Sequence, residues 1–498
     1  VSRVILSPTA IDVVQEGVPM NLADVLDGHD DGSVAIIDGD VVVTYADLRH
    51  RVAAAQTHLA GHGTGDGDAI AMVIGNDTDF AVWTLAVLGL GAVVVPLNPT
   101  SPMPELVRKF DVASPKLLLV GSAGAACAGH DDELGVTTMD VTALDITSTA
   151  ADPAVVERAD TDPAFYMATS GVSGEAKVAV LSHRNLGWVQ AQLSALESGL
   201  TSDDVLLGVL PFTHIFGLNV VLLSGLRAGA TIVMQQRFDA DESLELVRRH
   251  GVTTLAGAPP MWQRWAVADV PDDSLASLRH AASGAAALPL GVFEAVRDRF
   301  GIEIGQGYGL TETSPVVTHG RDSAIRPSSV GKVLDGVEVA LVDDDGTPVS
   351  IGDEGEIVVR GPGVFNGYLG DQETTDSVLS DDGWLWTGDV GIFDEDGYLY
   401  LVDRIKDIVI VSGFNVYPGE VENVLMTHPG VNGAIVTGTA DEVTGEAVVA
   451  HVTGTATRAE LDEHVALQLS RYKRPTEYHF LDELPIAPNG KAIRRALR

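Results

Sequence analysis

Lys177 ends a run of small, hydroxylated and glycine residues, ATSGVSGEAK at 168–177. Glycines let backbone N–H groups come close to an anion, hydroxyls add donors, and a lysine supplies a mobile positive charge. Thr169, Ser170, Gly171, Ser173, Gly174 and Lys177 are therefore candidates for a phosphate cradle. The run is not a Walker loop, which needs glycine directly before the lysine and Ser or Thr directly after it; this chain has Ala176 and Val178 there. A flexible polar turn would use many of the same residues. Further stretches concentrate reactive groups. GQGYGLTETSP at 305–315 places Gly305, Gly307 and Gly309 around Tyr308, then Thr311 and Glu312. WLWTGDVG at 384–391 offers Asp389, LVDRIKDIVIVSGFNVYPGEVE at 401–422 is dense in charge, and LPIAPNGKAIRRALR carries Lys491.

The elements that must hold these residues are legible from punctuation. Through about residue 400, strand-like runs (AIAMVIG, AVVVPL, KLLLVG, VLLGVLPF, ATIVMQQ, TTLAGAP) alternate with helical patterns such as DESLELVRRHG and LGVFEAVRDRFG. That alternation predicts parallel sheets covered by helices. Over 330–402 the pattern changes to short strands and Gly/Asp turns, a β-rich subdomain. The remaining stretch of about ninety residues has strand and helix signals of its own, enough for a small α+β domain.

Composition bounds the partners. At 498 residues the chain exceeds what one hydrophobic core organises, so at least two domains are expected. The charge is strongly acidic, 31 Lys+Arg against 70 Asp+Glu for a net −39. Such a field repels nucleic-acid backbones and anionic membranes, so neither is expected as a partner. Cys127 stands alone, which excludes an internal disulfide and fits a reducing, cytoplasmic setting. VSRVILSPTAIDVVQEG does not read as a secretory signal. FAVWTLAVLGLGAVVVPL at 80–97 is long enough to raise a membrane span, but Gly89, Gly91 and Pro96 interrupt it and β-branched residues cluster in its second half. It reads as a buried helix turning into a buried strand.

In this order and at these spacings, the stretches resemble the adenylate-forming superfamily of acyl-CoA synthetases, 4-coumarate-CoA ligases, luciferases and peptide-synthetase adenylation domains. The resemblance runs from TYADL at 44–48 to the last residue. It implies an α/β fold: a large N-terminal domain (1–404) of parallel sheets with its β-rich subdomain (330–402), and a mobile C-terminal lid (405–498). It also assigns roles. Thr169, Ser170, Gly171, Ser173 and Gly174 would wrap the β and γ phosphates of ATP, with Lys177 as counter-charge. Gly284 and Ala285, in SGAAAL at 283–288, would lie along one face of adenine and Tyr308, between Gly307 and Gly309, would stack on the other. Thr311 would hydrogen-bond the α phosphate and Glu312 would hold Mg²⁺, a hard cation that prefers carboxylate oxygen. Asp389 and Arg404 would grip the ribose, Lys406 would be the hinge, Gly413 would let the pantetheine of CoA pass close to backbone, and Lys491 would be the catalytic lysine. His214, in LPFTHIFGL, would line the acyl pocket, although a satisfied structural role competes with that reading; His183 is read as structural.

The chain departs from the family pattern at Val172, Ala176 and Val178, where a hydroxyl residue, a proline and a glycine are usual. One lost hydroxyl donor costs about 1 kcal/mol of phosphate binding. Lysine usage points the other way: of seven lysines, four (177, 406, 473 and 491) fall at family lysine positions in a chain that otherwise favours arginine. The activity implied is ATP- and Mg²⁺-dependent activation of a hydrophobic acid, fatty or aryl, as acyl-AMP, followed by transfer to CoA, in a monomer or homodimer. No arginine lies within 281–287 or 305–309 to pair with a second carboxylate, which disfavours a dicarboxylic acid. The alternatives are a ligase that stops at acyl-AMP or loads a carrier protein, and a catalytically impaired protein that binds ATP or an acyl-adenylate.

Overall fold

The apolar run at 80–97 divides where its glycines fall. Asp77 caps the helix Thr78–Gly89, its carboxylate accepting from Phe80 N–H. Gly91 turns the chain at φ +76°, and the β-branched residues that follow form the fully buried strand Val93–Pro96. A helix apolar on all sides belongs inside a protein, and Phe80, Trp83, Leu85 and Leu88 are all buried. Among the described residues no helix is long and apolar enough to cross a membrane.

The computed structural model describes residues 20–147, 152–169, 177–404, 407–411, 414–441, 444–486 and 493–497. Among them, two mostly parallel sheets carry the N-terminal part. The first runs Gly305–Gln306, His280–Ser283, Thr254–Gly257, Val205–Gly208, Thr231–Met234, Val34–Asp38 and Val41–Thr44 in spatial order. The second runs Thr137–Asp140, Leu117–Val120, Ala69–Val73, Val93–Pro96, Pro163–Thr169 and Lys177–Ser182. Each ends in an antiparallel pair at one edge. The expected helices at 241–251 and 290–301 are Ala240–His250 and Leu290–Phe300, each stopped by a glycine in the left-handed region, Gly251 and Gly301.

The β-rich region is an antiparallel sheet in the order Glu338–Val342, Gly355–Arg360, Leu385–Phe393 and Leu399–Arg404. The last part of the chain forms another sheet, Phe414–Val416, Val409–Val411, Gly445–Gly454 and Val431–Asp441, with Glu477–Phe480 parallel to Gly445–Gly454. Its helices Pro418–Met426 and Arg458–Gln468 cover an apolar cluster of Val416, Val421, Leu425, Val436, Leu461 and Val465. That cluster is separate from the large core around Trp83, Phe165, Trp262 and Phe293. Burying an aliphatic or phenyl side chain fully contributes about 1.5–3 kcal/mol, so each region has a core of its own on which to fold.

Candidate active site

The candidate phosphate cradle hangs from the edge hairpin of the second sheet. Thr169 and Lys177 are cross-strand partners at its open end, and Thr169 Oγ1 donates to the Lys177 carbonyl at 3.5 Å. Ser170, Gly171, Ser173 and Gly174 lie outside the described residues. The strand leaving the cradle, Lys177–Ser182, also pairs with the segment around Tyr368: Val180 N–H donates to the Gly367 carbonyl and Leu369 N–H to the Val178 carbonyl. Lys177 Nζ lies 5.4 Å from the Tyr368 ring centroid, a cation–π contact.

The GQGYGLTETSP stretch begins as the edge strand Gly305–Gln306 and then turns. A Cβ on Gly309 would overlap the Pro315 carbonyl oxygen, so the turn demands glycine there. Thr311–Thr313 follows as a single 3₁₀ turn, pinned by Leu310 N–H donating to Thr313 Oγ1 at 2.9 Å. Thr311 and Glu312 are both half-buried on it. Tyr368 Oη donates to Glu312 Oε1 at 2.8 Å. Burial and the adjacent Glu312 carboxylate push the Tyr368 phenol well above its ordinary pKa, so it stays protonated.

Tyr308 is buried and donates its hydroxyl to Asp389 Oδ2 at 2.8 Å. Asp389 stands on the strand Leu385–Phe393, directly opposite Arg404 in the antiparallel register; the Arg404 side chain is outside the described set. Ala285 follows the strand His280–Ser283 at φ +72°, a left-handed conformation that costs a non-glycine residue about 1–2 kcal/mol. Gly284 sits against Phe216: a Cβ there would come 3.0 Å from its ring. Ala285, Gly307, Tyr308, Gly309 and Asp389 line one cleft of about 2390 Å³, whose lining also includes Glu420, Lys473 and Arg494 of the C-terminal part.

His214 is half-buried, with Nδ1 accepting from Phe216 N–H at 3.3 Å just before the π-helical turn Phe216–Leu223. Such turns are rare and concentrate at functional positions. His183 is fully buried and its Nδ1 accepts from Leu22 N–H at 3.1 Å. Burial, aided by the Arg158 charge, pushes its pKa down to about 4, and it supports the packing of residues 20–26 against helix His183–Ala195.

On the C-terminal side Lys473 Nζ donates to both Glu420 oxygens, at 2.8 and 2.6 Å. Tyr417 Oη donates to Glu354 Oε2 at 2.5 Å, and Gln263 Nε2 to the Asn432 carbonyl at 3.0 Å, tying this region to the rest of the chain. Lys406, Gly413 and Lys491 lie outside the described residues. Sequence reasoning missed Tyr368 and Phe216; the signal for Tyr368 was an aromatic held between Gly367 and Gly370. Among the described residues no three His, Cys, Asp or Glu side chains converge as a metal cage. One carboxylate beside a phosphate cradle nonetheless fits Mg²⁺, which commonly takes one or two protein carboxylates and completes its shell with phosphate and water oxygens.

A family profile described as AMP-binding enzyme matches residues 24–369, and one described as AMP-binding enzyme C-terminal domain matches 420–491. The chain is 35% identical to 4-coumarate–CoA ligase 3 of Oryza sativa subsp. japonica, over 93% of this chain and 88% of that protein. It is 33% identical to 4-coumarate–CoA ligase of Vanilla planifolia, over 92% and 88%. Among solved structures, ATP-bound MatB from Rhodopseudomonas palustris superimposes with a TM-score of 0.89 at 31% identity, covering 96% of this chain and 98% of that one. On these matches the chain belongs to the AMP-binding enzyme family, among its ATP-dependent acid–thiol ligases that form acyl-CoA and AMP.

Proposed function

We propose that the acid is a hydrophobic monocarboxylate, with aryl acids of the hydroxycinnamate type taken in preference to fatty acids. The Tyr308–Asp389 hydrogen bond in the cleft carries the reading of the nucleotide site, because it joins an aromatic platform for adenine to a carboxylate for the ribose hydroxyls. Support for an aryl acid comes from the small, apolar wall Ala285–Ala287, the adjacent Phe216 ring and the 4-coumarate–CoA ligases among the relatives. The chain divides functionally after Arg404, with 405–498 turning about Lys406 between two half-reactions.

In the first half-reaction a carboxylate oxygen of the acid attacks the α phosphorus of ATP, the α–β phosphoanhydride bond breaks, and pyrophosphate leaves. Lys177 and Thr169 hold the β and γ phosphates, Thr311 donates to the α phosphate, and Glu312 ligates Mg²⁺. When bound, the metal neutralises the triphosphate and its leaving group. Lys491 places an ammonium between two anions that must meet, an effect whose removal costs roughly 10²–10³ in rate. In the second, the CoA thiol attacks the acyl carbonyl, the acyl–phosphate bond breaks, AMP leaves, and the thiol proton passes to solvent; Gly413 then borders the pantetheine path. The enzyme works in a reducing, cytoplasmic compartment, as a monomer or homodimer.

Pyrophosphate release across hydroxycinnamic, benzoic and fatty acids, with and without CoA, tests this. CoA-dependent turnover led by aryl acids is expected. A lead by fatty acids overturns the preference, CoA-independent turnover indicates a ligase that stops at acyl-AMP, and no turnover with any acid indicates a binding protein.

A further inference from the structure

Tyr368 belongs to none of the motifs that the sequence singled out, yet it touches two of the groups assigned to the triphosphate. Its hydroxyl donates to Glu312 Oε1 at 2.8 Å, and its ring lies under Lys177 Nζ at 5.4 Å. The same short segment grips Glu312 a second time, through Phe365 N–H donating to the Glu312 carbonyl at 2.9 Å. The segment is itself held in place. Tyr368 N–H donates to Thr375 Oγ1 at 2.9 Å, the Phe365 and Tyr368 rings pack edge to face at 4.9 Å, and residues 366–369 pair with the strand Lys177–Ser182. Lys177 and Tyr368 are therefore fixed by one backbone ladder, and Glu312 is fixed to that ladder by Tyr368 and Phe365.

We propose that Tyr368 is a positioning residue for the divalent cation: it fixes the Glu312 carboxylate through one oxygen so that the other is presented to the metal, while its ring seats Lys177 apart from that carboxylate. Among the described residues no other side chain hydrogen-bonds the Glu312 carboxylate. A neutral phenol donating to a carboxylate makes a charge-assisted bond that restricts rotation without cancelling the charge the cation needs. Lys177 and Glu312 carry opposite charges, and both contact the Tyr368 side chain. A phenol between them serves both, because the ring face attracts the ammonium and the hydroxyl serves the carboxylate.

The proposal rests on the reading of Glu312 as the Mg²⁺ ligand, and the experiment separates the two. ATP affinity is measured by equilibrium dialysis in Mg²⁺ and again in EDTA, for the parent chain, Tyr368→Phe, Glu312→Gln and the double variant. Tyr368→Phe removes one hydroxyl and keeps the ring, so folding is checked only by an unchanged thermal midpoint. Expected is a loss of about tenfold or more in Mg²⁺ for Tyr368→Phe, the lower end of the scale for a hydrogen bond to a charged group, with affinity in EDTA within about twofold of the parent and no further loss when added to Glu312→Gln. Parity of Tyr368→Phe with the parent in Mg²⁺, an equal loss in EDTA, or a full additional loss on top of Glu312→Gln overturns the positioning role. A Glu312→Gln variant whose Mg²⁺ dependence matches the parent overturns the ligand reading and the proposal with it.

Discussion

Arg494 clasps Glu422 with one guanidinium nitrogen, Nη2 lying 2.7 Å from Oε1 and 3.0 Å from Oε2, while Nη1 stands 3.6 Å from Asp407. Arg494 is three residues past Lys491 and Asp407 is one past Lys406. One cation thus ties the chain beyond the proposed catalytic lysine to the chain beyond the proposed hinge, with the helix Pro418–Met426 as anchor.

Glu422→Gln keeps the shape and removes the charge from this clasp. The adenylation rate is expected to fall about threefold to tenfold, because the amide oxygen still accepts from Arg494 and only part of the charge-assisted clasp is lost, while KM for ATP stays within about twofold. Pyrophosphate-release kinetics check it. An unchanged kcat would show that the clasp does not restrain the lysine.

Tyr308→Phe and Asp389→Ala separate platform from carboxylate. The phenylalanine keeps the stacking face and leaves the Asp389 carboxylate in place for the ribose, so KM for ATP should rise only about two- to fivefold, less than the full worth of the charge-assisted bond it gives up. Alanine at 389 removes the acceptor outright and should raise it about tenfold or more. Equal effects would mean that the two residues serve packing alone.

Gly309→Ala places a methyl group against the Pro315 carbonyl, so the turn carrying Thr311 and Glu312 must shift. Stability should fall by about 2 kcal/mol or more and adenylation should be lost together with it. A variant with an unchanged thermal midpoint and normal turnover would contradict the steric requirement.

His183 gives a pH signature. Its folded pKa is pushed down to about 4 from 6.5 by burial, so the unfolded chain takes up its proton first as pH falls. Its contribution is present above pH 6.5 and is lost progressively as pH drops towards 4, by about 3 kcal/mol over that window. His183→Gln retains an acceptor for Leu22 N–H and should flatten the fall in thermal midpoint across that range. An identical slope in the variant would assign the acid sensitivity to other groups.

Much of the scaffold was readable because burial leaves periodicity. The helix and strand inside 80–97 followed from where glycine and β-branched residues fall, and the alternating runs became two mostly parallel sheets. The candidate site was readable where its residues sit in one stretch, as from Gly305 to Glu312. Contacts that depend on how distant stretches meet were not. Tyr308 and Asp389 are 81 positions apart, and Tyr368 reaches Glu312 across 56; nothing in either local pattern announces its partner. The strand Leu385–Phe393 was not singled out: Gly388 and Gly391 interrupt its alternation, and its ladder is irregular between Val390 and Gly391.

Anchoring both ends of the candidate anion-binding stretch in one pair of antiparallel strands has an evolutionary corollary. Val178, where the family usually has glycine, is buried in the sheet and registered opposite Ala168, so its extra methyl groups become packing rather than obstruction. Mutational drift between positions 169 and 177 leaves the two flanking strands in step, because their own ladder keeps Thr169 opposite Lys177.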